Sequence, residues 1–184
     1  SEMCIRDRLK VSTSTDVSSL TFDSDVTEFI VTSGTLTVST AQATGRVISG
    51  AGGVTVKALA TNANLASISA SGTITANIAA TGDYSANTNI ATVDAFVVAS
   101  GQVATLSAAQ GSKAIDISAG SGAAAKVKVN ATADISAITL DSDISEIIVA
   151  SAQVATLSSA QAVKAIDISA GSGAAAKLKV STST

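Results

Sequence analysis

The sequence predicts an all-β fold, a β-solenoid of the parallel β-helix kind. Three observations carry that: near-identical internal repeats, short alternating apolar runs at even spacing, and a core supply made of small aliphatic side chains. The stretch 102–126, QVATLSAAQGSKAIDISAGSGAAAK, returns at 153–177 as QVATLSSAQAVKAIDISAGSGAAAK, identical at 22 of 25 positions and displaced by 51 residues. A second pair, LTFDSDVTEFIV from Leu20 and ITLDSDISEIIV from Ile138, lies 118 apart. The heptapeptide LKVSTST stands at Leu9 and again at Leu178, 169 apart, which is the sum of the other two spacings. Continuing with DVSSLTFDSD after Thr184, as after Thr15, would extend the same array.

Within these blocks a smaller motif recurs: an apolar residue, two variable ones, then two apolar residues flanking a single outward one. Val17, Leu20 and Phe22 fit it, as do Val26, Phe29 and Val31; Ile135, Ile138 and Leu140; Ile144, Ile147 and Val149; and Val163, Ile166 and Ile168. Each copy reads as one strand, because two-residue alternation in Val, Ile and Thr fits a pleated surface and the Gly, Ser, Asn and Asp between copies fit tight turns. The run 123–126 is Ala-rich, yet it follows Gly and leads into alternating Val and Lys, so it too reads as strand. The glycines at Gly50, Gly52 and Gly53 read as turns.

Central residues of successive copies (Ile138, Ile147, Leu157, Ile166, Leu178) fall about ten apart, so each long repeat holds about five strands. Coils of two strands and coils of three are both open, since five divides evenly by neither. The alternative architecture is a β-sandwich with one long repeat per domain, which the strand spacing also allows. Against it stands the aromatic supply of Phe22, Phe29, Phe96 and Tyr84, too small to fill the space between two wide sheets.

Residues 9–184 therefore read as a single repeat array, with related blocks near 9–60, 90–129 and 130–184. The stretch 62–89 matches the repeat least and is expected to form a looser loop or irregular coil. Residues 1–8, SEMCIRDR, hold the only Cys, the only Met and two of the three Arg of the chain. They resemble translated sequencing adapter, are read as a non-native leader, and lack the apolar centre of a secretory signal.

Composition narrows function by exclusion. With no His, Ser-His and Cys-His catalysis and His-ligated metal sites are ruled out. A net charge of −3 with singly scattered Lys and Arg argues against nucleic acid as a partner. Mean hydropathy is +0.45, but no apolar run reaches the roughly 18 residues a spanning helix needs, so membrane insertion is not expected. No phosphate-loop spacing occurs; the nearest strings, GSGAAAK at Gly120 and Gly171, lack the hydroxyl after Lys. No enzyme is expected.

The candidate ligands are carboxylates. Asp23 and Asp25 recur as Asp141 and Asp143 in DSD turns, and paired carboxylates on a loop are the chemistry of calcium; the alternative reading is an Asx turn between strands. Flat ranks of Thr on a solenoid could order water as an ice-binding surface. The outward series Thr21, Ile30, Thr37, Thr55, Asp116, Lys128, Thr139, Ile148, Asp167, Lys179 is mixed, which argues against that role.

The TLSAAQ and TLSSAQ turns with AIDISAGSG, in an Ala/Ser/Thr/Gly/Val-rich background, resemble the repeat regions of large bacterial cell-surface proteins of the β-strand repeat, adhesin-like or S-layer-associated kinds. The resemblance implies a structural stalk, spacer or fibre segment of an exported protein, extracellular or at the cell surface, without catalysis. Its partners would be adjacent repeats of the same protein, with self-association through open solenoid ends. The competing function is a binding module of an adhesin, using the acidic turns with calcium or the divergent 62–89 stretch.

Overall fold

A computed structural model of the chain describes residues 7–117, 122–168 and 177–181. Leader residues 1–6 and the glycines at Gly120 and Gly171 lie outside them. Every strand pairing established among the described residues is parallel, and the chain winds as a β-solenoid. It divides into two compact units, Ser1–Ala79 with Asn89–Phe96, and Ala80–Thr88 with Val97–Thr184.

In the first unit the strands β1 (Asp7–Val11), β2 (Thr15–Asp16), β3 (Val26–Val31), β4 (Thr35–Ser39), β5 (Val47–Gly50), β6 (Gly53–Lys57), β7 (Ile68–Ala70) and β8 (Ile74–Ile78) alternate between two ladders. β1, β3, β5 and β7 form one, with Leu9, Phe29, Ile48 and Ile68 in register. β2, β4, β6 and β8 lie in the other, where Leu36, Val54 and Ile74 stack. One coil therefore runs from Leu9 to Phe29, or from Ile48 to Ile68, and carries two strands, which settles the choice that strand spacing alone left open.

The stack works because parallel register sets like residues over like. Phe29, Ile48, Leu36 and Val54 are fully buried between the ladders, and each such side chain contributes about 1.5–3 kcal/mol by leaving water. At the tight turn between ladders, Gly50 (φ +113°) lies so close to the coil below that an added Cβ would clash with the Val31 carbonyl oxygen. The outward rank of one ladder is mixed, with Lys10, Ile30, Ser49 and Ser69, whereas the other runs Asp16, Thr37, Thr55 and Thr75, three Thr in succession where the sequence series read as mixed.

The remaining strands are β9 (Gly82–Asp83), β10 (Ala95–Val98), β11 (Val103–Leu106), β12 (Ala114–Ile117), β13 (Ala124–Val129), β14 (Ala133–Asp134), β15 (Ile144–Val149), β16 (Val154–Leu157), β17 (Ala165–Asp167) and β18 (Lys177–Val180). In the second unit β9, β11, β13, β15 and β17 follow one another in one ladder, and β14, β16 and β18 in another. Val129, Ile135, Ile147, Val149, Ala155 and Leu157 form a buried cluster between them. The spacing of the long repeat now acquires a geometric meaning. β11 belongs to the first of these ladders and its near-identical copy β16 to the second, and the same holds for β13 and its copy β18. Five strands at two per coil are two and a half coils, so successive copies occupy alternate faces.

Three expectations need correction. Not every copy of the apolar motif is a strand: Val26–Val31 and Ile144–Val149 are, whereas Val17, Leu20 and Phe22, and likewise Ile135, Ile138 and Leu140, lie in the segments joining β2 to β3 and β14 to β15. There the same spacing serves a corner, with Val17 and Ile135 buried and Leu20 55% exposed. Three one-turn helices form, α1 (Thr40–Ala43), α2 (Ala108–Gly111) and α3 (Ser159–Ala162), the last two in the TLSAAQ and TLSSAQ segments read as turns. The divergent stretch 62–89 is not a loose loop. It holds β7, β8 and β9 and buries Leu65, Ile68, Ile74, Ala76, Ile78 and Tyr84, because the alternation survives where the wording of the repeat does not.

Candidate functional site

The most elaborated polar feature of the fold is a corner built three times from the same residues. Each one-turn helix opens with a capping box: the Ser39 hydroxyl accepts from the Gln42 backbone N–H at 3.3 Å, and the Ser39 N–H donates to Gln42 Oε1 at 2.8 Å. Ser107 with Gln110, and Ser158 with Gln161, repeat this. The Gln amide nitrogen then points across to an earlier coil. Gln42 Nε2 donates to the carbonyls of Val17 (2.8 Å) and Leu20 (2.7 Å). Gln110 does the same to Tyr84 and Asn87, and Gln161 to Ile135 and Ile138.

Each accepting corner is itself shaped by an Asp. Asp16 Oδ1 accepts from both the N–H and the hydroxyl of Ser18, Asp83 from those of Ser85, and Asp134 from those of Ser136. The turn exposes the carbonyls on which Gln closes. The Gln side chains are buried, and their amides are taken up by the capping contact and the two carbonyls of the earlier coil. Among the described residues no buried side-chain nitrogen or oxygen lacks a partner.

Charged groups continue the pattern. Asp16 pairs with Lys57 at 2.6 Å and Asp83 with Lys128 at 2.7 Å, each from two coils further on. The Lys57 ammonium, with help from Ser18, holds the Asp16 carboxyl below the usual carboxylate range. Partial burial pushes Asp83 up, but the hydrogen bonds from Lys128 and Ser85 outweigh it and the net shift is downward. The hydroxyl and N–H of Ser136 lower Asp134.

The acidic residues singled out from sequence lie in the joining segments before β3 and β15. Asp23 Oδ1 accepts from the Asp25 N–H at 3.0 Å, and Asp141 Oδ1 from the Asp143 N–H at 2.9 Å, so both DSD strings close as Asx turns. Asp141 also accepts from the Ile115 N–H through its second oxygen at 3.3 Å. Among the described residues no three acidic or Cys side chains come together as a metal-holding group.

Two shallow clefts, of ≈ 220 and ≈ 280 Å³, flank Arg46 in the first unit. The guanidinium carbon lies 4.7 Å from the Phe29 ring centroid and 6.0 Å from that of Phe22, and Nη1 donates to the Gln42 carbonyl at 3.1 Å. The cation is thereby directed at ring faces and a carbonyl. Apart from it, the clefts offer hydroxyls and an exposed Leu20, with no acid–base pair among their lining residues.

Sequence reading missed the glutamines. Their signal was present: Ser-x-x-Gln stands at 39–42, 107–110 and 158–161, and in each case a Gln sits in an Ala-rich, otherwise uncharged string. Among the described residues no helix is long and apolar enough to cross a membrane. Comparison with family models, with curated proteins and with solved structures returned no match.

Proposed function

We propose that this chain is a structural repeat segment, a stalk, spacer or fibre part of an exported bacterial surface protein, working without catalysis. One observation carries the reading: the buried polar side chains Gln42, Gln110 and Gln161 are directed at the backbone of a neighbouring coil. An element that holds coils at fixed spacing, repeated at near identity, suits a part whose task is length and stiffness, because in a solenoid each coil is stabilised chiefly by its neighbours. Its partners in this reading are adjacent repeats of the same protein. Cell-surface location rests on the resemblance of the repeats alone.

The test is to read the DNA flanking this sequence. Further copies of the unit that runs from one LKVSTST to the next, leading to a sorting or anchoring domain, would support a surface stalk. A short self-contained gene would overturn it. A chain carrying two such units should have about twice the longest dimension in small-angle scattering, and a failure to lengthen would count equally against a spacer.

A further inference from the structure

The three glutamine corners follow one plan, and the first departs from it in residues that meet at one place. After α2 and after α3 two residues lead into the next strand, the second of them Lys113 or Lys164; after α1 there are three, Thr44, Gly45 and Arg46. Register makes Arg46 and Lys164 equivalent, because the residue after Arg46, Val47, stands opposite Glu28 and the residue after Lys164, Ala165, stands opposite Glu146. The strings LTFDSDVTEFIV and ITLDSDISEIIV align likewise, so Phe22 corresponds to Leu140 and Phe29 to Ile147. Lys164 donates to the Ile144 carbonyl at 2.6 Å. The fold therefore closes this corner with aliphatic side chains and a Lys. Phe22, Arg46 and the extra Gly45 are not needed for that, and all three line the clefts beside Arg46. Gly45 has φ +72° and an added Cβ there would meet nothing within 4 Å, so the extra residue widens the corner and fills no gap.

The cation is held in place and left open. Phe22 and Phe29 pack edge to face with centroids 5.2 Å apart, and the guanidinium lies against both rings. Among the described residues its one acceptor is the Gln42 carbonyl, and no carboxylate lies within ion-pair distance of it. Most of the N–H donors of the guanidinium are thus free for a ligand. We propose that the clefts beside Arg46 bind a carboxylated sugar, with Arg46 holding the carboxylate.

Chemistry and size select that class. A guanidinium fork matches the two oxygens of a carboxylate, which a Lys does not. Asp23 and Asp25 stand on either side of Ser24 in the cleft wall, so a doubly charged phosphate beside this single cation is disfavoured and a singly charged carboxylate is preferred. Thr21, Ser24, Thr27 and Thr44 bring hydroxyls to the walls for ring hydroxyls, and the half-buried Phe22 ring offers an apolar face for the C–H side of a sugar. At ≈ 220 and ≈ 280 Å³ both clefts fall below the roughly 300 Å³ at which pockets for larger ligands begin, which suits one small ring. Their walls come from residues 20–27 of one coil and 39–46 of the next, both within this chain.

The experiment titrates the full, nitrogen-15-labelled chain with glucuronate and follows backbone amides and the Arg46 Nε–H by nuclear magnetic resonance. Saturable shifts confined to residues 20–27 and 39–46 are expected, with a dissociation constant on the order of 1 mM. Glucose, which lacks the carboxylate, and acetate, which lacks the ring, should each bind at least about tenfold more weakly. Arg46→Lys should weaken glucuronate about fivefold with an unchanged far-ultraviolet circular dichroism spectrum, because the equivalent corner already carries Lys164. No saturable shift at tens of millimolar, acetate or inorganic phosphate binding as tightly as glucuronate, or a folded Arg46→Lys chain that binds like the parent would each overturn the proposal. None of these outcomes touches the spacer reading.

Discussion

The side-chain amide of Gln161 donates to the carbonyls of Ile135 and Ile138, at 2.8 and 2.6 Å, reaching 26 and 23 residues back along the chain. That reach is slightly longer than one coil, so the bond ties one corner to the corner beneath it. The same amide's oxygen caps its own helix through the Ser158 N–H. One side chain therefore fixes both the local turn and its placement on the neighbouring coil.

Replacing Gln161 by Ala is expected to destabilise the second unit by about 1–3 kcal/mol, since two carbonyls and a backbone N–H lose their partner inside the corner. Glu at the same position should cost at least as much, because a carboxylate cannot donate to the two carbonyls and would face them with like charge. Urea unfolding of Gln161→Ala and Gln161→Glu beside the parent chain measures this. If the Glu form were as stable as the parent, the clamp would not be the source of stability.

The ladders make a contrasting prediction about inside and outside. Ile147 is fully buried and stands in register with Val127 and Ile166, so Ile147→Ala should cost about 2–4 kcal/mol through lost transfer energy and a cavity. Thr55 stands in the outward rank between Thr37 and Thr75, and Thr55→Ala should change stability by no more than about 0.5 kcal/mol. Equal effects at the two positions would mean that the assignment of inner and outer faces is wrong.

Much of this was readable in the sequence, for definite reasons. Period two is a backbone property, so the alternation in VTEFIV and ISEIIV located β3 and β15 and their inner faces directly. Repeat spacing alone implied about five strands per long repeat but could not say how many make a coil, because that depends on which strands lie side by side. Leu20 and Ile138 misled because a corner and a strand both place apolar residues three and two apart. The glutamines escaped notice because a polar residue among alanines looks like surface. Only its approach to the carbonyls of an earlier coil shows that it is buried and paired.

Two glycines with positive φ separate steric from conformational cost. An added Cβ at Gly45 (φ +72°) meets nothing within 4 Å, so Gly45→Ala should cost only the roughly 1–2 kcal/mol of a left-handed backbone. At Gly34 (φ +71°) the Cβ would lie 2.5 Å from the Ser14 nitrogen and 2.7 Å from the Thr13 carbonyl carbon, both backbone atoms of the coil below. Gly34→Ala must therefore push two coils apart as well, and its loss of thermal stability should exceed that of Gly45→Ala clearly. Thermal unfolding of the two variants decides it, and equal losses would mean that the coils are not held as closely as the ladders require.

Acid should loosen the corners. Asp16, Asp83 and Asp134 all have carboxyls held below their ordinary value of 3.8: the first by Lys57 and Ser18, the second, against the upward push of partial burial, by Lys128 and Ser85, and the third by Ser136. When the folded-state value lies below the unfolded one, the unfolded chain binds more protons at acid pH, so stability rises with pH across that interval. The contribution is complete above the ordinary carboxylate value and is lost as pH falls through the folded-state values. With no His in the chain, little other titration intrudes between about pH 5 and 7. Unfolding free energy should therefore be nearly flat there and decline below about pH 4. Asn at all three positions should lower the plateau, because the pairs with Lys57 and Lys128 weaken, and should flatten the acid decline. An acid slope unchanged in the triple variant would place the responsible carboxylates elsewhere.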